Sequence, residues 1–300
     1  MKAMILAAGL GTRLRPLTDK KPKALVPVVN RPMIERVIEY LKGYGIEGIV
    51  VNTHHHYNQI VDYMDAGKPF GIKIDVLVEP EILGTGGAIK NTEGFWDDEP
   101  FIVFNSDVLT NIDLGPAYEA HRESKGLVTL ILHDREPYNQ ISIDYSGRIT
   151  DIAPGNAPGR LAFTGIHIIS PEFLTHIPDK GFSNIIDCYL TLIHSGKDIK
   201  YYITEGYYWS DIGTVDSYKR VNKDLLDQTG FSIAPECQIA PSATLRDWAV
   251  IGERATLEES VEIRGSILWD GIRVKQGIKI VDSIVTSDRT VDRDLFQEVY

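Results

Sequence analysis

Residues Ala3–Ala8 form a short apolar run that stops at Gly9-Leu10-Gly11-Thr12-Arg13. A strand covered on both faces reads as an unbroken apolar run, and glycine just after it permits a tight turn through positive φ. The chain is therefore expected to open with a buried parallel strand that enters a glycine turn, which restricts it to α/β folds with helices covering a sheet. Glycine also leaves no Cβ in the way, so the amides of such a turn can close on phosphate oxygens. Five basic residues follow (Arg13, Arg15, Lys20, Lys21 and Lys23) against one acid, Asp19. Positive charge gathered beside exposed amides suits a polyanion such as a nucleoside triphosphate.

Two phosphate-binding patterns fail here. Walker A and the dinucleotide fingerprint both require glycine where this chain has Leu14. The segment Leu6-Ala7-Ala8-Gly9-Leu10-Gly11-Thr12-Arg13-Leu14-Arg15-Pro16-Leu17-Thr18, followed by Pro22-Lys23-Ala24-Leu25, instead resembles the signature of the sugar-1-phosphate nucleotidyltransferases, LAAG-x-GTRL-x-PLT and then P-K-x-L. The resemblance implies that Leu6, Ala7, Ala8, Gly9, Gly11 and Thr12 cradle a nucleotide. It also implies that Arg13 holds the β- and γ-phosphates and that Lys23 holds the α-phosphate and the sugar phosphate.

The chain has 300 residues, enough for one large domain or two of moderate size. A net charge of −11 argues against nucleic acid as a partner, since a phosphate backbone needs a basic face. Cys188 and Cys237 lie far apart in apolar contexts, like buried small residues rather than a disulfide or metal pair. No apolar run approaches the roughly 20 residues that span a bilayer, and Gly9, Gly11 and Arg13 break up any signal-peptide core. A cytoplasmic enzyme without membrane contact is expected.

Along the chain, Val26–Val29 reads as a short strand. Asn30-Arg31-Pro32 reads as a helix start, with Asn as cap and Pro in the first turn. Strands are expected at Ile46–Asn52, Ile72–Val78, Phe101–Phe104 and Leu127–His133, with helices at Asn58–Met64, Asn184–His194 and Val215–Leu226. Ile141–Tyr145 and Arg148–Ile152 form a hairpin about Ser146-Gly147. Alternation at this spacing predicts βαβ units and a mostly parallel, Rossmann-like sheet with ligands outside the carboxyl ends of its strands. His54-His55-His56 is not read as a metal site, because three adjacent side chains point in different directions.

Glu79–Ile89 is a second glycine-rich stretch, in which Gly84, Gly86 and Gly87 would let backbone approach a flat ligand and Thr85 adds a hydroxyl. It resembles the family's L-G-T-[AG]-G-A segment at the nucleobase, which implies nucleotide-binding roles for Glu79, Gly84, Thr85 and Gly86. Asn105-Ser106-Asp107 follows a central strand, where a carboxylate faces the crevice and suits Mg²⁺. Gly206–Thr214 resembles the family's G-x-W-x-D-I-G-T, which makes Asp211 the implied second metal carboxylate and leaves Trp209 as a packing residue. Phe163-Thr164-Gly165-Ile166 resembles the segment lining the sugar pocket, and Asn105, Asn139, Thr164, Gly165 and Arg160 are the implied sugar-side set. The family's Glu-Lys-Pro is missing before it. In its place stands Asp151–Arg160, DIAPGNAPGR, similar to the N-acetylmuramate-1-phosphate uridylyltransferases, with Arg160 supplying the charge.

From Phe231 the period becomes six. Ile233, Ile239, Leu245, Ile251, Leu257 and Ile263 recur, with Cys237, Ala243, Ala249, Ala255, Val261 and Ile267 four positions on, and the register blurs after Trp269. This is the hexapeptide pattern of a short left-handed parallel β-helix. Acyl transfer is not expected from it, because all eight histidines lie at or before His194. The expected organisation is a nucleotidyltransferase domain over 1–228 and a β-helix over 229–300 that caps it or mediates homo-oligomer contacts.

The resemblance implies transfer of a nucleoside monophosphate from a nucleoside triphosphate to a sugar 1-phosphate, with Arg13, Lys23, Asp107 and Asp211 catalytic and Mg²⁺ on the two aspartates. LGTGGA followed by the hexapeptide region looks most like mannose-1-phosphate guanylyltransferases. The alternatives are a uridylyl- or thymidylyltransferase acting on glucose, N-acetylglucosamine or N-acetylmuramate 1-phosphate, and a non-catalytic regulatory subunit that binds sugar nucleotides.

Overall fold

The computed structural model describes residues 1–65, 70–153, 155, 158–286 and 289–300. Compactness divides the chain into one unit of Met1–Leu10 with Arg36–Asp211 and another of Gly11–Glu35 with Ile212–Tyr300. Among the described residues no helix is long and apolar enough to cross a membrane.

The first unit is built on a nine-stranded sheet. Its centre is Lys2–Leu6, parallel both to Gly48–Thr53 and to Phe101–Asn105, with Lys73–Val78 parallel outside Gly48–Thr53. Ala3, Met4 and Ile5 are fully buried and every residue of Gly48–Thr53 is buried, which is why these strands carry apolar runs rather than alternation. On the far side Leu161–Ile169 runs antiparallel to Phe101–Asn105 and to Val128–His133, and Lys200–Thr204 pairs parallel with Val128–His133. The helices Gly84–Lys90 and Ile185–His194 cover one face, their Ala88, Ile89, Ile185, Tyr189 and Leu192 sharing a core with Met4, Val50, Phe101, Val103 and Leu130. Register sets Leu6 level with Asn52 on one side and Asn105 on the other, so these carboxyl ends form one line.

The hairpin Asn139–Ile143 with Ile149–Ile152 has a wider turn than Ser-Gly alone, because the Asp144 carboxylate accepts from the amides of Ser146 and Arg148. A strand that periodicity did not indicate, Val108–Thr110, pairs antiparallel with Trp209–Asp211. At three residues it is too short to show a period.

In the second unit the expected helix start at Asn30-Arg31-Pro32 is instead a hairpin. Pro27–Val28 pairs with Arg31–Pro32, and Val29 (φ 46°) and Asn30 (φ 60°) form its two-residue turn, so the helix begins at Met33. Both turn positions need left-handed backbone, which asparagine tolerates well. The Asn30 amide is therefore not a cap. It donates to the Ile251 carbonyl and the Ser232 hydroxyl.

Beyond the helix Val215–Asp224, parallel strands stack with a regular offset. Phe231 pairs with Ala249 and Gln238 with Thr256, 18 residues on, which is three hexads. At Ala249↔Ser266 the offset falls to 17, where Gly265 (φ 59°) lies against Asp282, and at Ile280↔Leu295 it falls again to 15. The ladder thus departs from the hexad register once before Trp269 and, as expected, again after it. Ile251, Leu257 and Ile263 are buried while Ile233 is 49 % exposed, because the first strand of the ladder has a neighbour on one side only.

Two histidines of the first unit are held neutral. His121 lies between the hydroxyls of Thr129 (2.8 Å) and Ser170 (3.0 Å), and burial pushes its imidazole down to about 4. His167 packs between Phe163 and Tyr189, and burial pushes it down to about 3. The unfolded chain protonates both below about 6.5 while the native chain does not, so stability is complete above that pH and declines as pH falls. Urea unfolding free energy should fall between about pH 6.5 and about pH 5 by up to about 1.4 kcal/mol per pH unit for each histidine. The slope should be shallower in His121→Gln, and an unchanged slope would mean that His121 charges in the native state.

Candidate active site

Three parallel strands of the first unit end in polar groups that are bonded in sequence. The Ala7 amide donates to Asn52 Oδ1 at 2.9 Å, and Asn52 Nδ2 donates to Glu79 Oε1 at 2.8 Å. Glu79 Oε2 accepts from the Leu83 amide at 3.2 Å, and His54 Nδ1 meets the Glu79 carbonyl at 2.8 Å. Ala7, Asn52 and Glu79 are all buried, so each of these groups needs its partner. Asn52 escaped the sequence reading. The available signal was an asparagine closing an otherwise apolar strand at its carboxyl end.

The glycines of Gly84–Lys90 are required by the chain itself. A Cβ on Gly84 would lie 2.5 Å from the Ser183 carbonyl oxygen, one on Gly86 2.8 Å from Ser183 Oγ, and one on Gly87 2.8 Å from the Gly181 carbonyl oxygen. The amides of Gly86 and Gly87 donate to that Ser183 carbonyl, and Ser183 donates back to Leu83. The Thr85 hydroxyl accepts from the Ile185 amide and so caps the helix Ile185–His194 together with Asn184. The room expected for a flat ligand is thus filled, on this side, by residues 181–184.

Asp107 follows the strand Phe101–Asn105 in a turn that begins with the Ser106 amide donating to the Leu6 carbonyl. The ribbon of Val108–Thr110 with Trp209–Asp211 sets Asp211 opposite Val108, one residue from Asp107. Both aspartates are half-buried. Thr110 Oγ1 and the Asn111 amide donate to the Tyr208 carbonyl, which holds the ribbon at its far end. Trp209 is buried and its indole donates to the Thr164 carbonyl at 2.9 Å, a packing role.

Of the sugar-side residues, the structure brings Asn105 and Gly165 together. Gly165 (φ 77°) leaves room for the Asn105 amide, whose Nδ2 would lie 2.6 Å from any Cβ there. Thr164 is fully buried, and its hydroxyl donates to the Ile131 carbonyl rather than facing a ligand. The Asn139 side chain is also committed internally: it accepts from the Arg135 amide and donates to Asp134. Arg160 pairs with Asp151 at 3.6 Å, while Pro154, Asn156 and Ala157 of the same segment lie outside the described residues.

In the second unit Gly11 (φ 65°) forms a knot with the residues after it. Its carbonyl accepts from Leu14 N and Thr18 Oγ1, and a Cβ on it would lie 3.3 Å from the Lys23 Cβ. Leu14, Leu17, Ala24 and Leu25 are buried and anchor the loop, leaving Arg13, Arg15 and Lys20 exposed and Lys21 and Lys23 half-buried.

Asp107, in the turn before Val108–Thr110, and Asp211, on the strand paired with it, offer hard carboxylate oxygens, the donor type Mg²⁺ prefers. Among the described residues no three His, Cys, Asp or Glu side chains gather as a metal group, so substrate oxygens and water would complete such a site.

Residues 2–228 match the family model described as Nucleotidyl transferase. The chain belongs to this family. It is 32 % identical over 250 residues to the UTP–glucose-1-phosphate uridylyltransferase of Synechocystis, covering 76 % of this chain and 64 % of the relative's length. It is 27 % identical over 292 residues to the mannose-1-phosphate guanylyltransferase of Mycobacterium tuberculosis, covering 91 % of this chain and 81 % of that one. The crystal structure of HddC from Yersinia pseudotuberculosis complexed with GMP-PN superposes with a TM-score of 0.66 at 26 % identity, over 75 % of this chain and 99 % of HddC.

Replacing Asn52 by Leu leaves the Ala7 amide and one Glu79 oxygen buried without partners, at a cost of about 2–4 kcal/mol. The urea midpoint should drop accordingly in Asn52→Leu. A midpoint equal to that of the parent would show that this relay does not hold the strand ends.

Proposed function

We propose that the chain joins a nucleoside triphosphate to a sugar 1-phosphate, releasing pyrophosphate and forming a nucleoside-diphosphate sugar. The observation that carries this reading is the register of Trp209–Asp211 on Val108–Thr110, which pairs Asp211 with Val108, the residue after Asp107, just beyond the end of a central strand. Membership of the nucleotidyl transferase family supports it.

In this reaction an oxygen of the sugar phosphate attacks the α-phosphorus, and the bond to the α–β bridging oxygen breaks so that pyrophosphate leaves with its electron pair. Nothing covalent is required of the protein. It must align two anions that repel each other and stabilise the charge that grows on the leaving oxygen. Arg13 is assigned to the β- and γ-phosphates and Lys23 to the α-phosphate, with the amides of Gly9–Thr12 around the triphosphate. Asp107 and Asp211 would hold Mg²⁺, which would supply positive charge to offset that of the phosphates. Glu79, Gly84, Thr85 and Gly86 are assigned to the base side, and Asn105 and Gly165 to the sugar.

GTP and mannose 1-phosphate are the first substrate assignment. The guanylyltransferase of Mycobacterium tuberculosis matches nearly the whole chain, ladder included, and this supports it. UTP and glucose 1-phosphate are the second, supported by the higher identity to the Synechocystis enzyme. The family match ending at residue 228 supports a boundary between a catalytic domain and the ladder. The 18-residue offset supports reading that ladder as a left-handed β-helix.

Pyrophosphate release should be measured across four nucleoside triphosphates and the 1-phosphates of mannose, glucose, N-acetylglucosamine and N-acetylmuramate. One strong pair, abolished by EDTA, is expected, with GTP and mannose 1-phosphate first. Preference for UTP and glucose 1-phosphate would replace that assignment, and silence across the grid would overturn the activity. Lys23→Ala should lower kcat by about two orders of magnitude or more at an unchanged melting temperature. Near-parental turnover would remove Lys23 from the mechanism.

A further inference from the structure

The basic loop is fastened to residues that lie almost two hundred positions further along the chain. The Tyr218 side chain is fully buried, and its hydroxyl donates to the Pro27 carbonyl at 2.6 Å while accepting from Trp269 Nε1 at 2.9 Å. The Trp269 ring lies beneath Lys21, whose ammonium is 5.9 Å from the ring centroid. Asn222 accepts from the Val29 amide and donates to the Tyr218 carbonyl, and Asn30 donates to the Ile251 carbonyl. The segment Lys20–Lys23 therefore runs between two fixed points. One is the Gly11–Thr18 knot. The other is Pro27–Asn30, pinned by the helix Val215–Asp224 and the C-terminal ladder.

We infer that the C-terminal ladder is a working part of the triphosphate loop, with Trp269 and Tyr218 as positioning residues for Lys21 and Lys23. The inference rests on the proposed reading of that loop as the phosphate-binding element. A cation over a buried indole face is held more firmly than one in water, because the ring quadrupole attracts it where solvent screens little. Lys21 is on this account an anchor and not a ligand. Its attachment fixes the backbone from which Lys23, two residues on, projects. The Tyr218 hydroxyl fixes the same backbone from its other side through Pro27.

The test is a double-mutant cycle in the full chain, read by the KM for the nucleoside triphosphate of the preferred pair and by competitive inhibition with inorganic tripolyphosphate. Lys21→Ala and Trp269→Leu should each weaken both by about fivefold, and the double variant should be no worse than the poorer single one. Trp269→Phe keeps an aromatic face for Lys21 but loses the N–H, and should recover most of the tripolyphosphate affinity. Tyr218→Phe should lower kcat while leaving the KM for the sugar 1-phosphate in place. Should Trp269→Leu fail to fold, Trp269→Ala combined with Lys21→Ala carries the same comparison. Multiplicative effects of Lys21 and Trp269, or Trp269 variants that lower only the melting temperature, overturn the inference. If Lys23→Ala leaves tripolyphosphate inhibition unchanged, the phosphate-loop reading itself fails; if it abolishes inhibition while the cycle is multiplicative, only the positioning role fails.

Discussion

A carboxyl group that is 1 % exposed costs free energy unless hydrogen bonds replace the water it has lost, and Glu79 is such a group. Its partners are the Asn52 amide and the Leu83 amide, and Asn52 in turn accepts from Ala7. One buried side chain thereby ties together the ends of Lys2–Leu6, Gly48–Thr53 and Lys73–Val78 and the start of the helix Gly84–Lys90. The parallel sheet brings these ends to one level, and the hydrogen bonds keep them there. Every group assigned to the base side or to the metal lies on or just beyond that line.

The two glycine-rich stretches solve different problems. At Gly11 the positive φ and the missing Cβ let the chain fold back on Thr18 and Lys23, so the turn gathers its own basic residues. At Gly84, Gly86 and Gly87 the missing side chains admit residues 181–184, and the freed amides bond the Ser183 carbonyl. From composition alone both look like ligand cradles. In the second, most of the close approach is by the chain to itself, and Thr85 is drawn into a helix cap.

The second unit shows how a loop rich in lysine and arginine becomes ordered. Charges of one sign repel, so such a segment needs apolar anchors and fixed ends. Leu14, Leu17, Ala24 and Leu25 provide the anchors, and Tyr218, Asn222 and Asn30 fix the hairpin that follows. The ladder thereby belongs to the loop's own framework, which a boundary drawn after residue 228 would not suggest.

Much of this was legible in the residues themselves. The apolar runs marked the central strands, the period of six marked the parallel ladder, and Asn184 marked a helix start, because each depends on neighbours a few positions away. Family resemblance, rather than any spacing, nominated Asp107 and Asp211 together. Other features needed the folded chain. The ribbon that sets Asp211 opposite Val108 has strands of three residues, too short to carry a period. The Val29-Asn30 turn outcompeted a helix start because Asn30 gained the Ile251 carbonyl as a partner, and Thr164 and Asn139 turned inward for the same kind of reason. Local pattern determined which segments became strands and helices. Tertiary structure decided which polar side chains face a ligand and which are consumed within the fold, since a buried donor or acceptor must be satisfied by whatever distant group the register brings within reach.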